Sequence, residues 1–189
     1  MHDRQLPENA HLIPENAELV FKGTLFEVYQ WEQEMFDGSF ETFEMLRRPD
    51  ASLVIAIDGD EIIMQDEEQP GGVIENNRLP GGRIESGESP LEGAKRELRE
   101  EIGQEYENWA LLEVTQPAIK IEWFVYVYVA VNKIAEMPTA HESGERIRSK
   151  HVSFDEFKKA QLHRHSQMLE DINSIDDLLS KVGLKRAVS

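Results

Sequence analysis

Apolar and polar positions alternate through the first part of the chain, which is the signature of half-buried strands. Residues 25–33 and 39–47 read as two strands flanking Phe36-Asp37-Gly38, an Asp-Gly hairpin signal. Residues 52–57 form an almost unbroken apolar run and read as a buried strand, which Asp58-Gly59-Asp60 turns into a second strand over 61–65. Residues 66–77, which contain Pro70-Gly71-Gly72, read as a loop. Further strands are expected over 109–115 and 119–131. The second is apolar or aromatic nearly throughout from Trp123, so it belongs in the middle of a sheet. Residues 137–146 read as a polar loop and 150–153 as a strand. A helix is expected over 154–162, opened by Ser153 or Asp155, and a last one over 166–182, followed by Gly183. The first 17 residues hold a short echo, Leu6-Pro7-Glu8-Asn9-Ala10 and Ile13-Pro14-Glu15-Asn16-Ala17, and read as an extended arm.

The period changes from two to 3.6 between Ser89 and Gly103. Ser89-Pro90-Leu91-Glu92 opens a helix: Ser89 can cap it, Pro90 suits the first helical position and Glu92 completes a capping box. Gly103 suits the C-terminal end. At about 100° per residue, Leu91, Ala94, Leu98 and Ile102 share one stripe and should face the core. Glu97, Glu100 and Glu101 fall on a neighbouring face within about 100° of one another. Three carboxylates that close resist ionisation together. A divalent cation removes the conflict, and an all-oxygen, carboxylate-rich donor set suits Mg²⁺ or Mn²⁺. Gly81 and Gly82 precede the helix, let the backbone approach a ligand closely, and offer a carbonyl as a further donor.

The spacing across this region is specific. Gly82 is followed after five residues by Glu88, and after seven more by Arg96-Glu97-Leu98, then Glu100, Glu101 and Gly103. The pattern resembles the box of the Nudix hydrolase family, with one departure: the final apolar position is Gln104. The resemblance implies an α/β (α+β) fold, the Nudix α/β/α sandwich with a mixed sheet. It also implies a metal site built from Glu97, Glu100 and Glu101 with a Gly81 or Gly82 carbonyl, Arg96 and Glu88 being structural.

Composition narrows the partners. The formal net charge of −17 disfavours nucleic acid, whose backbone attracts basic surfaces. No run approaches 18 apolar residues, so no membrane span is expected. The first residues lack an apolar signal region, which predicts a cytoplasmic chain. The absence of cysteine excludes disulfides and thiolate zinc sites.

The segment Leu46-Arg47-Arg48-Pro49-Asp50-Ala51-Ser52 behind the hairpin resembles the ADP-ribose and nucleoside-diphosphate-sugar pyrophosphatase branch. On that resemblance, residues 1–48 are an N-terminal arm and small antiparallel β module that dimerises, and residues 49–189 are the hydrolase domain. The substrate is a nucleoside diphosphate linked to another moiety, and ADP-ribose would yield AMP and ribose 5-phosphate. Arg47, Arg48, Arg78, Arg83 and Pro117 are the candidate substrate contacts. In this branch the general base comes from a glutamate on the loop after the long central strand, here Glu145 or Glu142, with Glu100 beside the metal. Several positions depart from the branch: Gln65-Asp66-Glu67-Glu68-Gln69 replaces a basic segment, Arg78 replaces a glutamate and Asp50 a glycine. The alternatives are a family member acting on a nucleoside triphosphate, a dinucleoside polyphosphate or a coenzyme, and a nucleotide-sugar sensor without turnover. Trp123, Phe124 and Tyr126 read as core, and Phe26, Tyr29 and Trp31 as dimer packing. His163 and His165, two apart, share no helical face and predict no metal site.

Overall fold

The computed structural model describes residues 5–141, 143–161 and 169–187. The chain forms two compact units, one of residues 1–51 with 114–125, the other of residues 52–113 with 126–189.

The first unit carries a four-stranded sheet. Strand β1 (Glu18–Lys22) pairs antiparallel with β2 (Glu27–Glu34), and β2 pairs with β3 (Phe40–Arg47) in register from Glu27↔Arg47 to Glu34↔Phe40. The expected hairpin turn closes with Gly38 at φ 83° and with the Asp37 carboxylate accepting from the Ser39 amide and hydroxyl. The two echoed segments of the arm make the same local turn: Ala10 N–H donates to Pro7 O and Ala17 N–H to Pro14 O, each at 3.0 Å. Buried Glu122 ties the unit together. One of its oxygens accepts from Ile13 N–H of the arm at 2.8 Å, the other from Arg47 Nε at 3.1 Å.

The second unit is built on a longer sheet. Its strands are β4 (Ala51–Asp58), β5 (Glu61–Gln69), β6 (Val73–Arg78), β7 (Gly81–Arg83), β8 (Gln104–Thr115), β10 (Val125–Glu136) and β11 (Arg146–Val152). The path runs β11-β5-β4-β10-β8, with β6 on β5 and β7 on β4. The remaining strand, β9 (Ile121–Glu122), lies parallel to β3. The helices include α1 (Pro90–Ile102), α2 (Phe154–Gln161) and α3 (Ile175–Val182). This is the α+β architecture with mixed sheets that the resemblance implies. The core of this unit comes from Val54–Ile57, Ile62–Met64 and Tyr126–Val131, joined by Ala94 and Leu98 from α1 and Phe157 from α2. Burying each large apolar side chain of that set contributes about 2 kcal/mol.

The structure corrects four sequence expectations. Residues 66–77 are not a loop: β5 continues to Gln69, Pro70-Gly71-Gly72 is the turn, and β6 returns. The acids that hid the strand are paired across it. Glu67 is buried against Arg78, Asp66 accepts from Lys150 at 2.6 Å, and Glu68 faces Arg146 at 3.5 Å. Strand β8 starts five residues early, because buried Gln104 accepts a hydrogen bond from the Tyr106 hydroxyl at 2.8 Å. The expected strand over 119–131 is split into β9 and β10. The last helix begins only at Ile175, capped by Ser174, after turn and bend at 170–174. His163 and His165 lie outside the described residues.

Candidate functional site

Helix α1 forms for the reasons its sequence gives. Ser89 and Glu92 make the reciprocal capping box, and Gly103 ends the helix in the left-handed region at φ 70°. Ala94 and Leu98 are fully buried, while Leu91 and Ile102 are half-buried at the edges of the stripe. That packing sets Glu97 beside Gly82 and Glu101 beside Gly81 of β7.

Arg96 organises this face. Its guanidinium donates to Glu88 through Nε at 2.8 Å and Nη2 at 3.1 Å, and to Arg83 O at 2.9 Å, so it clamps the loop to the helix. Its Nη1 reaches Glu97 at 2.9 Å and Glu100 at 3.0 Å. The repulsion anticipated among the acids is thus relieved in part by a protein cation. The carboxylate cluster in turn holds the Arg96 guanidinium even more firmly protonated than usual, chiefly through its bonds to Glu88.

Glu101 is the most enclosed of the three. It accepts from Gly81 N–H at 2.7 Å, and burial pushes its carboxyl up to about 7, opposed by the charge of Arg78 and the Gly81 amide. Burial also raises Glu97, with Arg96 opposing and the charges of Glu100 and Glu145 adding. Glu145 is therefore brought within electrostatic reach of the box. Glu142, the other candidate base, lies outside the described residues.

The loop bearing Glu145 is fastened to the C-terminal end of α1, where helical carbonyls lack intrahelical partners. Met137 N–H donates to Gly103 O at 2.7 Å and Ala140 N–H to Glu100 O at 2.8 Å. His141 Nε2 lies 3.0 Å from Glu101 O. A carbonyl only accepts, so Nε2 carries the hydrogen. Sequence reasoning missed this histidine, whose role depends on a contact 40 residues away. Replacing His141 by Ala should lower kcat about tenfold through misplacement of the loop, with KM little changed and His141→Asn restoring most of the rate. Equal kcat in all three proteins would remove His141 from the positioning network.

The remaining sequence candidates divide by unit. Arg78 belongs to this site as a support, since its guanidinium pairs with buried Glu67 and donates to Gly81 O at 2.6 Å. Of the two glycine carbonyls, that of Gly81 thus already has a partner. Arg83 is exposed. Arg47, Arg48 and Pro117 belong to the first unit. There Arg47 bonds Glu122 and the Tyr29 hydroxyl, Arg48 stacks 4.4 Å from the Trp123 ring centroid, and Pro117 is exposed.

Among the described residues, no three acidic or histidine side chains already converge as a metal cage does. The surroundings nevertheless fit a hydrated hard cation. The donors are all oxygens. A Cβ on Gly82 would stand 2.7 Å from Glu97 Oε1, so the glycine is what gives that carboxylate its room. Beside Glu101 the fully buried Gln65 amide favours the charged form of that carboxylate, the form that binds a hard cation.

In metal-free protein the raised carboxyl of Glu101 sets a pH dependence. A carboxyl whose folded value stands at about 7 against an ordinary 4.5 contributes stability that is complete below the lower value and is lost as pH rises through the upper one. Calorimetry in chelator should show the melting midpoint falling across that window, with Glu101→Gln flattening the fall. An identical slope in both proteins would contradict it.

The NUDIX domain family model matches residues 46–172, two thirds of the chain and the whole of this site. The chain belongs to the Nudix family. Among curated proteins it is similar to a methanol dehydrogenase activator of Bacillus methanolicus, 33% identical over 118 residues, covering 60% of this chain and 63% of that protein. Among solved structures it is similar to an ADP compounds hydrolase, with TM-score 0.62, 24% identity and 88% of each chain covered. A Nudix hydrolase from Nitrosomonas europaea matches with TM-score 0.52 and 21% identity over 75% of this chain and 94% of that one. These likenesses establish the Nudix fold for the chain.

Proposed function

We propose that this Nudix protein is a divalent-cation-dependent pyrophosphohydrolase of a nucleoside diphosphate linked to another moiety, with ADP-ribose or a related nucleotide sugar as substrate. The observation that carries the reading is the complete set of box acids on one face of α1, with the charge of Glu145 acting on Glu97. Glu97, Glu100 and Glu101 would hold Mg²⁺ or Mn²⁺, with the Gly82 carbonyl as a further donor. The ion, when bound, supplies Lewis acidity toward the diphosphate oxygens and toward water. Glu145 takes the proton from the attacking water as that oxygen bonds to one phosphorus, and the bridging P–O bond breaks. ADP-ribose and water would thereby give AMP and ribose 5-phosphate. Arg83, exposed at the mouth of the box loop, suits the diphosphate, since a guanidinium fork matches phosphate oxygens. The solved ADP compounds hydrolase of the same fold supports the ADP-containing class.

A second reading comes from the Bacillus methanolicus relative, named as a dehydrogenase activator. It makes this chain an effector of a dehydrogenase. One assay separates the two: product analysis with Mg²⁺ over ADP-ribose, nucleoside diphosphate sugars, dinucleoside polyphosphates, nucleoside triphosphates and nicotinamide dinucleotides. AMP release from ADP-ribose as the fastest reaction supports the proposal. Preference for another diphosphate keeps the chemistry and replaces the substrate. Absence of turnover on every member overturns the enzyme and leaves a sensor or an effector.

We further propose that the first unit mediates homodimerisation. Every residue of β1 is exposed, and Phe21 and Phe40 are exposed large apolar side chains on the same sheet. Exposed apolar side chains of this size can mark an interaction site, and a second copy of this chain is the partner that the family resemblance implies. Sedimentation should give a dimer, and Phe21→Ser with Phe40→Ser should give a monomer. A monomeric native chain would sink the idea.

A further inference from the structure

On the side of α1 away from the box acids lies a pocket of about 190 Å³. It is walled by Lys95 and Arg99 from α1, Gln104, Glu105, Tyr106 and Trp109 from β8, and Ile134 from β10. Lys95 and Arg99 are four apart and share a helix face, whereas Glu97 lies about 200° round the helix from Lys95. The pocket and the box therefore use opposite faces of the same helix.

Its composition departs from that of the chain. In a protein of net charge −17, two exposed cations stand together over an aromatic wall. The Lys95 ammonium lies 5.7 Å from the Trp109 ring centroid. Trp109 and Tyr106 meet edge to face at 6.5 Å, and the indole is fixed by its N–H bond to Tyr106 O at 2.9 Å. The wall is thus a held platform. Arg99 is only loosely engaged, with Glu105 at 3.5 Å and half of its side chain exposed, so its guanidinium can serve an incoming anion. Ile134, a large apolar residue left 62% exposed, supplies the opposing apolar surface.

We propose that this pocket binds a small aromatic phosphomonoester of the mononucleotide class, the ring between Trp109 and Ile134 and the phosphate between Lys95 and Arg99. A flat heteroaromatic ring gains from stacking on a fixed indole. Two adjacent cations, one of them a planar fork, suit a phosphate dianion better than either the ring or the phosphate alone would require. The site is separate from the hydrolytic one and does not depend on the activity proposed above.

The test uses the ¹⁵N-labelled full chain in chelator, with AMP as probe. The chain has three tryptophans, so three indole N–H signals are expected, and Trp109→Phe assigns one. AMP should shift the Trp109 indole saturably, and adenosine or inorganic phosphate alone should bind at least tenfold more weakly. Lys95→Ala with Arg99→Ala, both on exposed helical positions, should weaken AMP at least tenfold, while Glu101→Gln leaves it unchanged. A Trp109 signal unmoved by AMP overturns the proposal. So does a Kd within twofold of the native value in the double variant, or an AMP shift abolished by Glu101→Gln alone.

Discussion

Glu101→Gln should lower kcat on the preferred diphosphate about a thousandfold, the loss of about 4 kcal/mol of transition-state stabilisation. The substitution keeps the volume and one acceptor for the Gly81 amide, now 2.7 Å away, so the junction of α1 and β7 survives. What disappears is the negative charge that a divalent cation needs in the most enclosed position of the box. Steady-state kinetics with Mg²⁺ titrated to saturation, beside a melting curve, measures both parts. A variant that melts like the native chain and keeps kcat within tenfold would show that Glu101 holds no ion. The corresponding change at Glu100, whose side chain is 42% exposed and which already shares Arg96, should cost less.

The second large effect concerns stability. Gly81→Ala should unfold the protein or destabilise it by about 3 kcal/mol or more. Gly81 stands at φ 134°, and a Cβ there would lie 2.1 Å from Ser52 O and 2.9 Å from Leu53 Cα. Both obstacles are backbone of β4 and cannot swing aside. Gly82→Ala gives the contrast. The three atoms nearest its Cβ all belong to the end of the Glu97 side chain, the first at 2.7 Å. That variant should keep nearly native stability and lose activity, because relief comes from displacing a proposed cation ligand. Urea unfolding of the pair with matched kinetics checks this. Equal stability loss in the two variants would refute the distinction.

The box helix was legible to the residue. Ser89, Pro90, Glu92 and Gly103 act locally, and local chemistry is what a sequence displays directly. The β2–β3 hairpin was legible for the same reason, through Asp37 and Gly38. The β5–β6 hairpin was not. Its polar residues gain their partners from β11 and from each other across the turn, as Asp66 does with Lys150, 84 residues away. Gln104 was read as a loss at an apolar position, yet Tyr106 supplies a hydrogen bond that makes its burial tolerable. Among the candidate site residues, the acids of α1 followed from helical spacing, and Glu145 enters through its charge on Glu97. Arg47 and Arg78 were read as substrate contacts, and their pairing with Glu122 and Glu67 lay beyond local sequence because each partner comes from another strand. His141 carried no local signal at all.

The clamp made by Arg96 has a consequence for how the protein is supplied. A helix crowded with carboxylates would ordinarily need its ion before it could form. Here Glu88, Glu97 and Glu100 share a guanidinium already present in the chain. On the proposed reading, synthesis and ion loading would be separate events, and the fold of the helix would not depend on the ion. Turnover would then follow the free concentration of divalent cation from moment to moment rather than the history of the chain's assembly.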